Sequence, residues 1–267
     1  MHKKTNPNVH QSNTLGVDIG DTMVNIAVLV KQVPDTNSKI QISGDRVDLS
    51  TVKMDISPYD EFAVENALKH KESDGGTVTA ITVGPAGADK VLKGVKALGV
   101  DNIIRLDSDD YMDSNGLQTV LAQEISSGGY DVVYCGKSAA DTGAGSTGPG
   151  VAEKLGWGSV SNITEISFDG GLTVTSPCEG GNAIIAVTLP AVVSCDKGST
   201  KVRKSNVKGI MMAKRAQVDV KSVTTPAPSV SIVSHVMPPA KPAGKKFEGG
   251  ESAQTVAQLL RDEANII

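Results

Sequence analysis

Short runs of aliphatic and β-branched residues alternate along the chain with amphipathic segments of helix length, beginning near Val24. This alternation is typical of repeated βαβ units. Aromatic residues make up only 3% of the chain, so the core must be built from small aliphatic side chains, as in parallel sheets. We therefore predict an α/β fold, a three-layer sandwich with a mostly parallel, Rossmann-like sheet. The main strands are predicted at residues 25–30, 77–83, 102–106, 131–135, 172–175, 183–189 and 191–195, and helices at 58–70, 86–98, 114–126 and from 147.

The first predicted helix has a clear start signal. Ser57 can cap the helix, Pro58 occupies the first helical position, and Asp60 lies three residues after the cap, as in a capping box. Just before this helix, residues 39–42 and 46–49 flank a Ser-Gly-Asp turn, which predicts a small β-hairpin.

The C-terminal part has a different pattern. Residues 225–228 and 238–242 are too rich in proline for regular structure, yet residues 230–236 between them are apolar, which predicts an extended arm. Residues 251–265 then predict an amphipathic helix with Val256, Leu259 and Leu260 on one face. An arm of this kind usually packs against another surface.

Charge and cysteine content exclude several classes of protein. The chain has 26 Lys+Arg against 30 Asp+Glu, a balance that disfavours binding to nucleic acid or to an anionic membrane. Its three cysteines have neither disulfide nor zinc spacing, and reduced thiols are typical of the cytoplasm. We find no signal-peptide pattern and no membrane-span pattern. The four histidines are scattered, so we predict no catalytic site and no metal site.

A basic stretch follows the last predicted strand. Residues 197–221 contain eight Lys or Arg and a single acid, Asp219. Two interpretations remain open: a solvated loop and helix face, or a docking surface for another protein.

The richest motif is the loop Gly136–Gly150, which lies directly between a predicted strand and a predicted helix. A loop of Gly, Ser and Thr in this position presents backbone N–H groups at the positive end of a helix, where phosphate binds. It matches neither the Walker A pattern nor a full dinucleotide fingerprint. Phosphate binding and an ordinary flexible connection therefore both remain open.

Five segments stand out in order along the chain: Val28–Asp35, Ser57–Leu68, Gly136–Gly150, Leu189–Cys195 and Ile210–Lys214. The first two include the patterns Lys-Gln-Val-Pro-Asp and Ser-Pro-Tyr-Asp-Glu-Phe-Ala-Val-Glu. Together the five segments resemble the landmarks of electron transfer flavoprotein beta subunits, and the resemblance extends from Met23 to the C-terminal helix.

The resemblance implies a heterodimer whose alpha subunit holds most of an electron-carrying FAD. It also implies a second nucleotide in this subunit, either AMP or, in electron-bifurcating members, a second FAD. The implied partners are the alpha subunit and a flavin-containing dehydrogenase, with NAD in the bifurcating case. The implied nucleotide-site residues are Leu29, Ser57, Pro58, Tyr59, Asp60, Val83, Gly136, Lys137, Ser138, Asp141, Thr142, Gly143, Gly145, Ser146 and Thr147.

The same resemblance suggests a division of the chain. Residues 1–22 form an N-terminal extension, and residues 23–221 a nucleotide-binding α/β domain with a partner-docking loop near 196–214. Residues 222–267 form an arm and a helix that pack on the partner subunit. The chain departs from the family pattern at Ser176, at Ser199 and in the phosphate loop, so AMP and FAD both stay open and the dehydrogenase is expected to differ from the common one.

Several alternatives compete with these interpretations. A non-redox, nucleotide-binding regulatory module would have a similar fold. Residues 15–22 resemble the first phosphate loop of actin-like ATPases and sugar kinases, although no second loop can be placed. Asp141 could contact a ribose or cap the following helix, and Lys31 could be a charge near the cofactor or a surface cation.

Overall fold

The protein is built around a seven-stranded, all-parallel β-sheet with helices on both faces. The computed structural model describes residues 23–198, 200–241 and 243–266. The predicted extension, with its kinase-like segment at 15–22, and Ser199 lie outside these residues. The predicted three-layer α/β sandwich is confirmed, and its central sheet is entirely parallel.

Fourteen strands and six helices occur in the described residues. The strands are β1 (Val24–Leu29), β2 (Gln32–Pro34), β3 (Gln41–Ser43), β4 (Arg46–Asp48), β5 (Met54–Ile56), β6 (Gly76–Gly84), β7 (Asn102–Asp107), β8 (Val132–Gly136), β9 (Gly158–Ile163), β10 (Glu165–Ser167), β11 (Thr173–Cys178), β12 (Gly181–Ala186), β13 (Ala191–Cys195) and β14 (Asp219–Ser222). The helices are α1 (Pro58–Asp74), α2 (Asp89–Leu98), α3 (Ser114–Gly128), α4 (Thr147–Leu155), α5 (Val207–Arg215) and α6 (Ala253–Asp262).

The strand order of the main sheet is β14-β7-β6-β1-β8-β13-β9. From β1 the chain builds β6 and β7 on one side, then returns to place β8 on the other side of β1. The strand order therefore reverses between β1 and β8. In open parallel sheets the crevice at the carboxyl ends of two such strands is where ligands bind.

The core lies on both faces of this sheet. Alternate residues of β1 point to opposite sides, so Ile26 and Val28 pack with α1 and α2 while Ala27 and Leu29 pack with α3 and α4. Because both faces are covered, the central strands are apolar throughout, as the sequence predicted. A small antiparallel sheet, β10-β11-β12, adds Val174 to the core on the α1 side.

The start of α1 differs in detail from the prediction. Pro58 is the first helical residue, but the Ser57 hydroxyl makes no capping hydrogen bond and is buried without a partner. The Asp60 carboxylate accepts from the backbone N–H groups of Lys31 and Gly136 instead of from the N–H of Ser57, which donates to the Lys31 carbonyl. The predicted capping box is therefore wrong, because tertiary contacts take up the Asp60 carboxylate.

Other elements follow the prediction with shifted ends. The hairpin β3–β4 turns at Gly44, and α2 begins at Asp89 after a short 3-10 turn. Five short strands were not predicted. The last of them, β14, lies at the end of the basic stretch and pairs with β7 at the edge of the sheet. The unpredicted strands are β2, β5, β9, β10 and β14.

Contacts within the chain define two units. The first contains the main sheet and extends to Ile232 apart from the hairpin tip. The second combines residues 42–47 with the chain from Val233 onward. Within this second unit Arg46 Nη1 donates to the Val233 carbonyl at 2.8 Å, and the His235 N–H donates to the Asp45 carbonyl at 3.1 Å.

Candidate functional site

A cleft opens at the carboxyl ends of β1, β6 and β8, at the point where the strand order reverses. One side is formed by α3 and the other by the loop that connects β8 to α4. The residues that line it are Leu29, Val30, Lys31, Asp60, Ile81, Thr82, Val83, Leu117, Leu121, Cys135, Gly136, Lys137, Ser138, Ala139, Gly145 and Thr147.

The inner wall of the cleft is apolar. Leu29 and Ile81 from adjacent strands lie opposite Leu121 of α3, in the same core cluster as Cys135. The exception is Thr82, which is only 2% exposed and whose Oγ1 has no hydrogen-bond partner. A buried unpaired hydroxyl is costly, so an apolar ligand surface that also carries a hydrogen-bonding group would complement this wall.

The outer wall is part of the loop Gly136–Gly150, for which the sequence left phosphate binding and a flexible connection both open. Gly143 and Gly145 have φ angles of +62° and +64°, a conformation that favours glycine. Helix α4 begins at Thr147, and the Ser146 side chain makes no capping hydrogen bond to it. The first N–H groups of a helix have no intrahelical partner, and together with the helix dipole they attract anions. The cleft therefore combines an apolar wall with an anion-attracting helix start.

Asp60 joins the two strands on either side of the switch point. Its Oδ2 accepts from the Lys31 N–H at 2.8 Å, and its Oδ1 accepts from the Gly136 N–H at 3.1 Å. Burial raises the pKa of Asp60 to about 7, although both N–H groups and the Lys31 ammonium favour the carboxylate. A Cβ on Gly136 would collide with Asp60 Oδ1, so only glycine fits there.

Two lysines of the cleft are paired with carboxylates. Lys31 Nζ lies 2.7 Å from Asp141 Oδ2, and Lys137 Nζ lies 2.9 Å from Asp196 Oδ2. Lys137 also lies over the Tyr59 ring, 4.7 Å from its centroid. The cleft thus holds its cations in neutral pairs, and backbone donors remain its main attraction for an anion.

The structure brings about half of the predicted site residues into the cleft. Those that line it are Leu29, Asp60, Val83, Gly136, Lys137, Ser138, Gly145 and Thr147. Two of the others contact residues of the lining: Lys137 lies over the Tyr59 ring, and Asp141 pairs with Lys31. Asp141 does not occupy the cap position of α4, which is Ser146. The predicted residues outside the lining are Ser57, Pro58, Tyr59, Asp141, Thr142, Gly143 and Ser146.

Sequence reasoning missed part of the lining. Thr82 lies at the carboxyl end of β6, and Leu117 and Leu121 lie one turn apart on α3. The rule that parallel strands gather their carboxyl ends at one edge would have indicated Thr82. The α3 residues carried no local signal, because a leucine that faces a cleft and one that faces the core look alike in sequence.

Other chemistry-bearing residues are structural. His70 is buried, with its Nδ1 2.9 Å from the Tyr134 hydroxyl and its ring stacked on Phe168. Burial lowers the pKa of His70 and raises that of the Cys135 thiol. No group of three or more potential metal ligands is found among residues 23–198, 200–241 and 243–266. No helix in the same ranges is long and apolar enough to cross a membrane.

The basic stretch is partly bound within the molecule. Arg203 is held by two carboxylates of α1, those of Glu65 and Glu72, at 2.8 and 2.6 Å. Lys201 and Lys204 on either side of it are exposed. Of these three cations, Lys201 and Lys204 are exposed to solvent, whereas Arg203 is paired within the chain.

Together, the strand order and the cleft define an α/β protein of the doubly wound class, with its candidate ligand site at the topological switch point. Comparison with known proteins gives the family. The family model for the electron transfer flavoprotein domain matches residues 46–226. The chain is 31% identical over 257 residues to the electron transfer flavoprotein subunit beta of Bacillus subtilis strain 168, which covers 91% of this chain and 100% of that protein.

Two further relatives carry the same description. The chain is 35% identical over 227 residues to the subunit beta of Syntrophomonas wolfei, covering 84% of this chain and 89% of the relative. It is 30% identical over 249 residues to the subunit beta of Bradyrhizobium diazoefficiens, and the match covers 91% of this chain and 99% of that relative. This chain belongs to the family of electron transfer flavoprotein beta subunits.

Proposed function

We propose that this chain is the beta subunit of a heterodimeric electron transfer flavoprotein and binds an adenine nucleotide in the cleft at the switch point. The observation that carries the nucleotide proposal is the cleft itself, with its apolar wall, buried Thr82 hydroxyl and adjacent helix start. An adenine ring fits the wall chemically, and phosphate fits the N–H groups of the loop and of α4. The nucleotide is AMP or a second FAD.

Different residues of the cleft would contact the base and the phosphate of the nucleotide. Leu29, Val83 and Leu121 exclude water from the base, and Thr82 can donate to or accept from its polar edge. Gly145 lets the backbone approach a phosphate without a Cβ. The FAD shared with the alpha subunit supplies the electron-transfer chemistry, and this chain contributes binding and orientation.

Extraction of nucleotide from the purified complex tests this proposal. We expect one adenine nucleotide in addition to the FAD shared with the alpha subunit. AMP would make the protein a single-flavin carrier, and a second FAD would support an NADH-linked bifurcating complex. A complex with full FAD content and no further nucleotide would refute the proposed role of the cleft.

We further propose that the docking loop near 196–214 contacts a flavin-containing dehydrogenase. Lys201, Lys204 and Lys208 are exposed in this part of the chain, and Met211 and Met212 of α5 are 56% and 60% exposed. Exposed cations beside flexible apolar side chains suit an acidic, adaptable protein surface. The proposed location of the complex is the cytoplasm, consistent with the free cysteines Cys135, Cys178 and Cys195.

A further inference from the structure

The contacts of Arg203 set it apart from the lysines around it. Its Nε and backbone N–H both donate to Glu65 Oε2, at 2.8 and 3.0 Å, and its Nη2 donates to Glu65 Oε1 at 3.0 Å. The guanidinium also donates twice to the carboxylate of Glu72, which lies two turns further along α1. One arginine thus satisfies two carboxylates and ties its own backbone to the helix.

Glu65 shows that this contact is built into the fold. Its side chain is 5% exposed, although glutamate is rarely buried without a charged partner. Hydrogen bonds to Glu65 and Glu72 raise the pKa of Arg203, and the hydrogen bond from Arg203 lowers the pKa of Glu72, so Arg203 and Glu72 both stay ionised. A planar guanidinium can serve two carboxylates at once, whereas a lysine ammonium cannot reproduce the fork.

A second link holds the same stretch. The Thr200 hydroxyl donates to Asn66 Oδ1 at 3.2 Å, and Asn66 is itself buried against Cys195 at the end of β13. Residues 200 and 203 are therefore both attached to α1, while Lys201 and Lys204 beside them are exposed. The arrangement fixes the backbone and directs two cations outward.

We propose that Arg203 is a positioning residue for the docking loop: its contacts with Glu65 and Glu72 hold residues 200–206 on α1, so that Lys201 and Lys204 face an acidic partner surface. Arg203 itself makes no contact with the partner. This inference rests on the proposed docking function for the part concerning the partner, but the attachment to α1 can be tested without any partner.

The first measurement is hydrogen exchange in the heterodimer. Arg203→Gln and Arg203→Lys should both lose protection across residues 200–206 by roughly tenfold or more, with nucleotide content unchanged. Lys201→Gln is the matched control, since it removes a neighbouring charge without touching α1. Unchanged protection in both Arg203 variants would overturn the inference.

The second measurement uses electron transfer from a substrate-reduced flavin dehydrogenase from which the unmodified heterodimer accepts electrons. Arg203→Lys keeps the charge and breaks the fork, so we expect the apparent KM for the dehydrogenase to rise several-fold while its salt dependence is retained. Lys201→Glu with Lys204→Glu should raise KM and weaken the salt dependence. If Arg203→Lys behaved like the unmodified protein, Arg203 would act through its charge and the positioning role would be wrong.

The two proposals fail in different ways. If the double lysine variant left KM unchanged while the Arg203 variants lost protection, the docking function would be wrong and the attachment of residues 200–206 to α1 would be supported.

Because Arg203→Gln leaves Glu65 buried and unpaired, the variant Glu65→Gln with Arg203→Gln removes both charges together. It should fold and show the same local loss of protection.

Discussion

At the scale of single residues, the cleft depends on backbone geometry more than on charge. Its two lysines are neutralised by Asp141 and Asp196, and its tightest constraint is the contact between Gly136 and Asp60. Substitutions that add atoms should therefore do more harm than substitutions that remove a hydroxyl.

Gly145→Val should abolish copurifying nucleotide, because a β-branched residue is strained at a φ of +64°. Ser146→Ala is the matched control. Its side chain caps nothing, so the variant should lose at most one hydrogen bond to ligand, about 0.5–1.5 kcal/mol, and keep its nucleotide. Retention of stoichiometric nucleotide by Gly145→Val would place the phosphate site elsewhere.

Gly136→Ala should destabilise the protein by about 1–3 kcal/mol, because its Cβ would collide with the buried Asp60 carboxylate. Gly158→Ala is the control at the start of another strand, where a Cβ meets no atom within 4 Å. Urea unfolding of the two variants measures the difference. Equal midpoints would contradict the described contact between β8 and α1.

Asp60 should make stability depend on pH. Its pKa is about 7 in the folded protein and about 3.9 in an unfolded chain, so the folded state binds the proton more tightly. This group's contribution is fully present below pH 4 and is lost as pH rises through 7. The charged groups that face Asp60 are Lys31, which lowers its pKa, and Asp141, which raises it.

Unfolding at pH 5 and pH 8 tests this dependence. Asp60→Asn should reduce the difference in the free energy of unfolding between pH 5 and pH 8 by on the order of 1–4 kcal/mol. The exposed substitution Asp169→Asn should leave the difference as it is. An unchanged slope in Asp60→Asn would show that another group is responsible.

At the scale of elements, helix starts that look alike in sequence are stabilised differently. Asp113 caps α3 by accepting from the Gly116 N–H at 2.8 Å and also holds the Ser229 N–H at 2.6 Å. Ser57, at the same position of α1, bonds to nothing through its hydroxyl. A capping residue in the sequence thus indicates where a helix begins, but it does not indicate which hydrogen bonds stabilise that helix start.

The two caps should respond differently to alanine. Asp113→Ala should cost about 1–2 kcal/mol or more, since a true cap and a tether to residues 229–230 are lost together. Ser57→Ala should change stability by less than about 0.5 kcal/mol. Thermal or urea unfolding of both variants checks the contrast, and a large loss in Ser57→Ala would mean that its hydroxyl has a partner.

Most elements could be predicted because their signals are local. The β-branched runs predicted β1, β6, β7, β8 and β13, and the strand-loop-helix order predicted the position of the loop that borders the cleft. Strand β14 could not be predicted, since Asp219–Ser222 is polar and becomes a strand only by pairing with β7. The roles of Asp60 and Arg203 were equally hidden, because their partners lie 76 and 138 positions away.

At the scale of the whole molecule, we propose that the arm from residue 222 onward packs on the alpha subunit. Val233, Val236 and Met237 are 85%, 81% and 60% exposed, which is unusual for three apolar residues so close in sequence. A covering partner would remove this apolar surface from water.

Replacing Val233, Val236 and Met237 by Ser should therefore weaken assembly with the alpha subunit at least tenfold, measured by titration of the separated subunits. Ile184→Ser is the control, because Ile184 is 77% exposed on β12, outside the arm. Nucleotide content should be retained in both variants. Undiminished assembly of the triple variant would exclude the arm from the interface.

The order of elements along the chain also has a consequence during synthesis. The cleft is lined by residues between Leu29 and Thr147, and the last strand of the main sheet along the chain ends at Ser222, where the arm begins. Domains tend to fold as units while the ribosome is still adding residues. The residues of the cleft are thus synthesised before the arm. If the cleft binds a nucleotide as proposed, a nascent chain could bind it before the arm meets the alpha subunit, and nucleotide supply would then limit assembly.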